Sequence, residues 1–349
     1  MLSDSSLDLI QHTHPAKRRA PLTNHMFKLL SYYHNLQVPI KSSLIRVQNI
    51  DVLDDGISCD EIIAESKTMK YLYKYESVVH SKPIVMNIYT KNKSDCSTHA
   101  RKIILLMLFL FPFSKPACSS FIEVNLILCN AKKKLPKKGD VIGPKHLNSG
   151  YSFRCRPATG IMVYRKEEWF KVLIHESFHY FGLDSSLDKP AYNIRVKRMF
   201  HVNSDINLPE AYCETWARLL NVYISAFYLN PTKYATTVSE LLEIEKYYSW
   251  YQMTKILKFM DMTYDDLFTN NNFEEKTNVF AYIILTNQLM QRSHEFMEWC
   301  INNNPTMLLC GESFCFHLLI PNRVVSRPIP TSPSFTMTTN TRMSIIELE

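Results

Sequence analysis

Several features that would declare a protein's class are missing from this chain. Its nine cysteines are odd in number and irregularly spaced, so no disulfide framework is legible among the 349 residues. The opening stretch, MLSDSSLDLIQHTH, has no apolar core of the kind a secretory signal needs. Together these point to a reducing, cytoplasmic setting with unpaired thiols. Long apolar runs are missing as well. The most hydrophobic stretch, Ile103 to Phe111, is stopped by Pro112 at about half of the ~20 residues that a bilayer crossing takes. It reads as a buried core helix, and no membrane span is expected. There is no internal repeat and no aromatic-rich basic motif. The formal charge of +7 is a mild excess, and nucleic acid is not an expected partner.

What remains is a globular composition, 46% hydrophobic, in a chain long enough to bury a sizeable core. Residues 1–25 are polar, carry Lys17, Arg18 and Arg19 between two prolines, and read as a flexible N-terminal arm. Residues 321–349, rich in Pro, Ser and Thr, read as a disordered tail. Between them, Phe121 to Asn130 sets Ile122, Val124, Leu126 and Leu128 against Glu123 and Asn125, the alternation of a half-buried strand. A lysine-rich turn, KKKLPKKGD from Lys132 to Asp140, reads as a solvated loop. Ile161 to Tyr164 reads as a short strand. From about Glu167 the period becomes helical, with Trp169, Phe170, Leu173, Ile174 and Phe178 on one flank. Glu167 and Glu168 fall where a first turn favours negative charge, and Gly182 falls where a left-handed C-cap is expected. Further helices are expected over Leu208 to Leu229, Val238 to Met260 and Asn278 to Ile301. The expected fold class is α+β. A mixed sheet and a motif-bearing helix occupy 26–205, and a mostly helical part occupies 206–320.

That helix ends in HESFHYFGLD, His175 to Asp184. Two histidines four apart with a glutamate after the first form the HExxH pattern. Residues four apart on a helix share one face, so both imidazoles can reach a single ion while Glu176 projects beside them toward a water. A catalytic zinc takes three protein ligands and keeps one position open. One continuation, HExxHxxGxxH, has its glycine here as Gly182, but the third histidine would fall on Ser185, with Asp184 one residue early. The other takes a glutamate from a later helix. Glu210 and Glu214, four apart at the start of the next strong helix, offer two carboxylates on one face. Glu210 is the expected ligand and Glu214 the expected partner orienting a ligand imidazole. The reverse assignment, or exposed acids serving only the helix dipole, are the alternatives. Cys310, Cys315 and His317 do not have a common zinc spacing, and the two cysteines read as ordinary buried thiols.

HESFH followed by EAYCETWA resembles the gluzincin branch of zinc metallopeptidases. More narrowly, the block from about Leu147 to Leu220 is similar to metallopeptidases encoded by large eukaryotic DNA viruses. The resemblance implies a zincin-like fold, a Zn2+ cofactor, a polypeptide substrate and hydrolysis by a zinc-activated water with Glu176 as general base. Glu214 stands where the family more often has Asp. An oxyanion donor is commonly a Tyr or His, for which His201 and Tyr212 are the candidates. The Ile161 to Tyr164 strand is the expected open edge for an extended substrate. Two other readings are an inactive metal-bound scaffold or virion protein and, less favoured, a basic nucleic-acid-binding protein.

Overall fold

Strand-forming segments before residue 166 assemble into one mixed sheet. The computed structural model describes residues 22–48, 57, 59–269, 272–319 and 339–348. Its strands are β1 (Lys41–Arg46), β2 (Tyr71–Val79), β3 (Lys82–Thr90), β4 (Ile122–Cys129), β5 (Gly150–Ser152) and β6 (Ile161–Arg165). They lie in the order β1-β2-β3-β4-β6-β5. β3, β4 and β6 are parallel neighbours, and the pairs on either side are antiparallel. β2 turns into β3 through His80 and Ser81, both at positive φ, the backbone of a tight hairpin.

The α-helices longer than four residues are α1 (Thr23–Asn35), α2 (Asp60–Ser66), α3 (Ser97–Leu110), α4 (Trp169–Tyr180), α5 (Pro190–Met199), α6 (Leu208–Leu229), α7 (Tyr234–Phe259), α8 (Thr286–Gln291) and α9 (Ser293–Asn303). One apolar cluster runs from the sheet through α3, α4, α6, α7 and α8. The run Ile103 to Phe111 is buried inside it, as its composition demands. Each such side chain removed from water contributes roughly 1.5–3 kcal/mol. No described helix is long and apolar enough to cross a membrane.

Several expectations are corrected by packing. β4 is not half-buried but central and covered on both faces, Ile122, Val124 and Leu126 against the main cluster and Ile127 and Cys129 against a smaller one with α2. Its polar Asn125 is accommodated because Asn87 on β3 donates to it at 3.0 Å. β6 is not the open edge, since β4 flanks it on one side and β5 on the other. The edge is β5. α4 starts at Trp169 rather than Glu167. Glu168 takes a left-handed φ of 58° and both acids are buried, drawn in by cations of the lysine turn. Lys133 of that turn is fully buried on Glu168, Lys132 pairs with Glu167 and Lys138 with Asp261. The stretch Asn278 to Ile301 is not one helix. A π-helical turn over Phe280–Leu285 leads into α8, and the chain breaks at Arg292 before α9.

The expected arm lies outside the described residues up to position 21, while Thr23, Asn24 and His25 form the first turn of α1. The expected tail is outside them over 321–338 and at 349, but 339–348 is packed, with Met343, Ile345, Ile346 and Leu348 buried. Four apolar side chains in six residues explain why that piece docks. Unpaired thiols are also not the whole outcome, because Cys118 and Cys155 are bonded to each other. Cys310 and Cys315 are free and buried.

Candidate metal centre

α4 and α6 pack face to face, and β5 and β6 support α4 from the sheet side. The motif lies in the last two turns of α4, which ends as expected on Gly182 with a φ of 67°. A side chain there is excluded twice over, by that φ and by Cys155 Sγ, which a Cβ would meet at 2.9 Å. The Cys118–Cys155 bridge therefore lies directly against the helix end.

The packing brings three sequence-separated donors together. Glu210 Oε2 is 3.0 Å from His175 Nε2 and 3.1 Å from His179 Nε2, and the two Nε2 atoms are 3.1 Å apart. The opposite ring nitrogens are occupied. His175 Nδ1 donates to Glu214 Oε2 at 3.1 Å, and His179 Nδ1 donates to Asp184 Oδ2 at 2.7 Å. Tyr282 packs edge-on against His175, ring centroids 5.7 Å apart. Asn278 donates to Glu210 Oε1 at 3.3 Å.

The tautomers follow from the acids. Burial works to raise the Glu214 pKa, but Lys171, His175 and Arg218 outweigh it and hold the carboxyl well below the usual range. Burial is likewise outweighed at Asp184 by His179 and Arg154, which lies 2.9 Å away. Both acids are thus acceptors, each Nδ1 carries a hydrogen, and each Nε2 faces Glu210. Burial works against protonation of His175, yet its hydrogen bonds to Glu210 and Glu214 raise its pKa. At His179, Glu210 and Asp184 overcome burial and raise it further. Glu210 is depressed by the same two rings.

Protons on the two Nε2 atoms stand where a cation would stand. The donors fit one: three atoms with edges of 3.0–3.1 Å are slightly tighter than the roughly 3.3 Å edges of a tetrahedral centre with zinc bonds of about 2.0–2.1 Å. A second grouping, His179, Asp184 and Cys213, fits less well. It needs the Nδ1 that Asp184 already takes, and burial pushes the Cys213 thiol far up, keeping it protonated.

Glu176 lies beside the donors, 8% exposed, and the Ser152 hydroxyl of β5 shares its hydrogen between Glu176 Oε2 at 2.9 Å and the Glu176 main-chain O at 2.8 Å. Burial raises its pKa more than His175 and His179 lower it. His175, Glu176, Tyr282 and Gly150 line a cavity of about 30 Å³, room for about one water.

Two expected residues are elsewhere. Tyr212 is fully buried with its hydroxyl donating to Leu308 O at 2.9 Å. Two positions from Glu210 is about 200° around the helix, so it leaves from the opposite side. His201 is exposed on the connection between α5 and α6, its main chain tied to Leu267. Asp184 and Tyr282 carry the contacts that sequence reasoning missed. Asp184 had a signal, being an acid just past the C-cap of the motif helix. Tyr282 had none beyond its place in a helical stretch. If these donors hold a metal ion, Asp184→Asn is expected to weaken its binding by about 10–100-fold, measured by chelator competition on the folded variant. Unchanged affinity would remove Asp184 from the centre.

The fold thus brings two histidines and one carboxylate together as a possible metal-binding group, with a further carboxyl beside it, on an α+β scaffold. The chain is similar to an uncharacterized protein of Acanthamoeba polyphaga mimivirus, 25% identical over 261 residues, 68% of this chain and 65% of that protein. The match thus spans about two thirds of its relative. It agrees with the large-DNA-virus side of the resemblance and is silent on chemistry. No family model and no solved structure matches the chain.

Proposed function

We propose that the protein is a zinc-dependent peptidase, with His175, His179 and Glu210 as ligands and Glu176 as the proton-transfer group. The observation that carries this reading is the convergence of both Nε2 atoms and one Glu210 oxygen at 3.0–3.1 Å, with a buried, pKa-raised carboxyl alongside. A structural histidine pair satisfied by core hydrogen bonds has no use for that carboxyl. A zinc ion held there supplies Lewis acidity, lowering the pKa of a water toward about 7 and polarising a carbonyl. Glu176 takes the proton of the attacking water and passes it to the departing amine. A raised pKa suits a group that must both accept and give it. Ser152 aims the Glu176 carboxylate, and Glu214 and Asp184 hold the two imidazoles in register. Tyr282, beside His175, takes over the oxyanion-donor role expected of His201 or Tyr212. The short β5 strand, as the free sheet edge next to Glu176, receives an extended polypeptide.

The lysine turn does not favour nucleic acid, since Lys132, Lys133 and Lys138 are engaged by acids. The test is elemental analysis of purified protein never exposed to chelator, followed by cleavage assays on a peptide library. About one zinc per chain and zinc-dependent cleavage are expected. Folded protein without zinc would sink the reading.

A pH dependence follows from the raised histidine pKa values. Zinc must displace those protons, so its affinity rises with pH, by more than about 10-fold between pH 6 and 8 in competition titrations. In the metal-free protein the sign is opposite. Stability from the protonated imidazoles is complete below about pH 6.5, the unfolded value, and is lost as pH rises through the higher folded values. A pH-independent zinc affinity would exclude these histidines as ligands.

A further inference from the structure

Residues 339–348 lie against the start of α4 and are held largely through their main chain. Leu135 N–H donates to Thr339 O at 2.7 Å, and Asn221 Nδ2 donates to Ile346 O at 2.9 Å. The N–H groups of Met343 and Ser344 both donate to Glu168 Oε1, at 3.0 and 2.6 Å. Ser344 Oγ and Ile345 N–H donate to Glu245 Oε2 at 3.0 and 3.4 Å. The acids and their cations, Lys133, Lys171 and Arg218, are almost wholly buried. One side chain of the segment reaches the centre itself. Met343 lines the water-sized cavity with His175 and Glu176, and its Sδ accepts from Lys171 Nζ at 3.7 Å. Lys171 directs its other donors to Glu214 Oε1 and Oε2, at 3.0 and 2.9 Å, and Glu214 holds His175 Nδ1.

Resting on the metal-centre reading above, we propose that Met343, with the segment that carries it, is a positioning element for the metal centre: it seats Lys171 on Glu214 and through Glu214 fixes His175. An ammonium has three donors, and here two go to the Glu214 oxygens and the third to sulfur. Met343 thus closes the last open side of Lys171. Without it, water enters beside Lys171, the ammonium is hydrated, and the Glu214 carboxylate is no longer pinned in the orientation that keeps a hydrogen on His175 Nδ1. The effect reaches the ligand although Met343 touches no donor atom of the triad.

The test uses the full chain and measures zinc affinity by chelator competition, with thermal midpoint as a separate readout. Met343→Ala and Lys171→Met are each expected to weaken zinc about 5–20-fold, within the range seen when a ligand's supporting partner is lost. The double variant is expected to be no weaker than Lys171→Met alone, because both changes act through one contact. Ile345→Ala, in the same segment but directed into the apolar cluster, is expected to lower the midpoint and leave zinc affinity unchanged. Losses that multiply in the double variant, no loss in Met343→Ala, or an equal loss in Ile345→Ala would overturn the proposal. If the alanine variant does not fold, Met343→Leu keeps the volume without the sulfur. A few-fold loss there supports the proposal, and natural affinity overturns it. Absence of zinc from the natural chain would instead defeat the metal reading and this proposal together, whereas zinc binding indifferent to Met343 defeats this proposal alone.

Discussion

Glu176→Gln is expected to retain about one zinc per chain while peptide hydrolysis falls by roughly 10²–10⁴-fold, the usual contribution of a positioned proton-transfer group. The two readouts separate because Glu176 is adjacent to the donors without being one of them. Its Oε2 is engaged by Ser152 at 2.9 Å, and the glutamine keeps that acceptor and nearly the same volume. What the amide cannot do is take a proton from water. Elemental analysis and turnover on the same preparation check the result. A variant that keeps natural activity would leave the centre intact but make it a scaffold. A variant that loses zinc would place Glu176 among the ligands.

Glu210→Ala is expected to lose zinc almost completely, a fall of at least about 10³-fold in affinity, because two imidazoles alone leave the ion without its third protein ligand. A second consequence is opposite in sign to a simple loss of packing. In the metal-free protein the Glu210 carboxylate supports the protonated forms of both histidines, so its removal lowers their pKa values. Histidine titration by NMR in metal-free protein is therefore expected to shift downward in Glu210→Ala. Glu214→Ala gives a graded counterpart. It leaves all three donors, removes the acceptor from His175 Nδ1, and strands Lys171 and Arg218 in the interior. Breaking such a buried network costs about 3–5 kcal/mol of stability, so this variant is expected to melt well below the natural protein as well as bind zinc more weakly. Zinc that survived Glu210→Ala and vanished with Glu214→Ala would reverse the two roles.

The parts of the centre that could be read from the sequence are those governed by helical period over short distances. His175 and His179 share a face because they are four apart, and Glu210 and Glu214 do so for the same reason. Gly182 ends the helix because a left-handed residue was needed there. The same period, applied to Tyr212, places it away from Glu210. The paired role of Asp184 with His179 was not read, because a fixed motif register favoured position 185 over the residue that the C-cap turns inward.

Local pattern thus settled the helices over Trp169–Tyr180, Leu208–Leu229 and Tyr234–Phe259, which of their faces carry the candidate donors, and that a central apolar run becomes core, since each depends on the geometry of one element. Tertiary structure alone decided the rest. It placed β5 rather than β6 at the edge, brought Tyr282 to His175 and joined Cys118 to Cys155. It also buried Lys133 on Glu168 and threaded residues 339–348 behind the motif helix. These contacts join segments from about ten to more than two hundred positions apart. Their energies depend on burial and on which charges end up together, and neither quantity is defined until the chain has closed on itself.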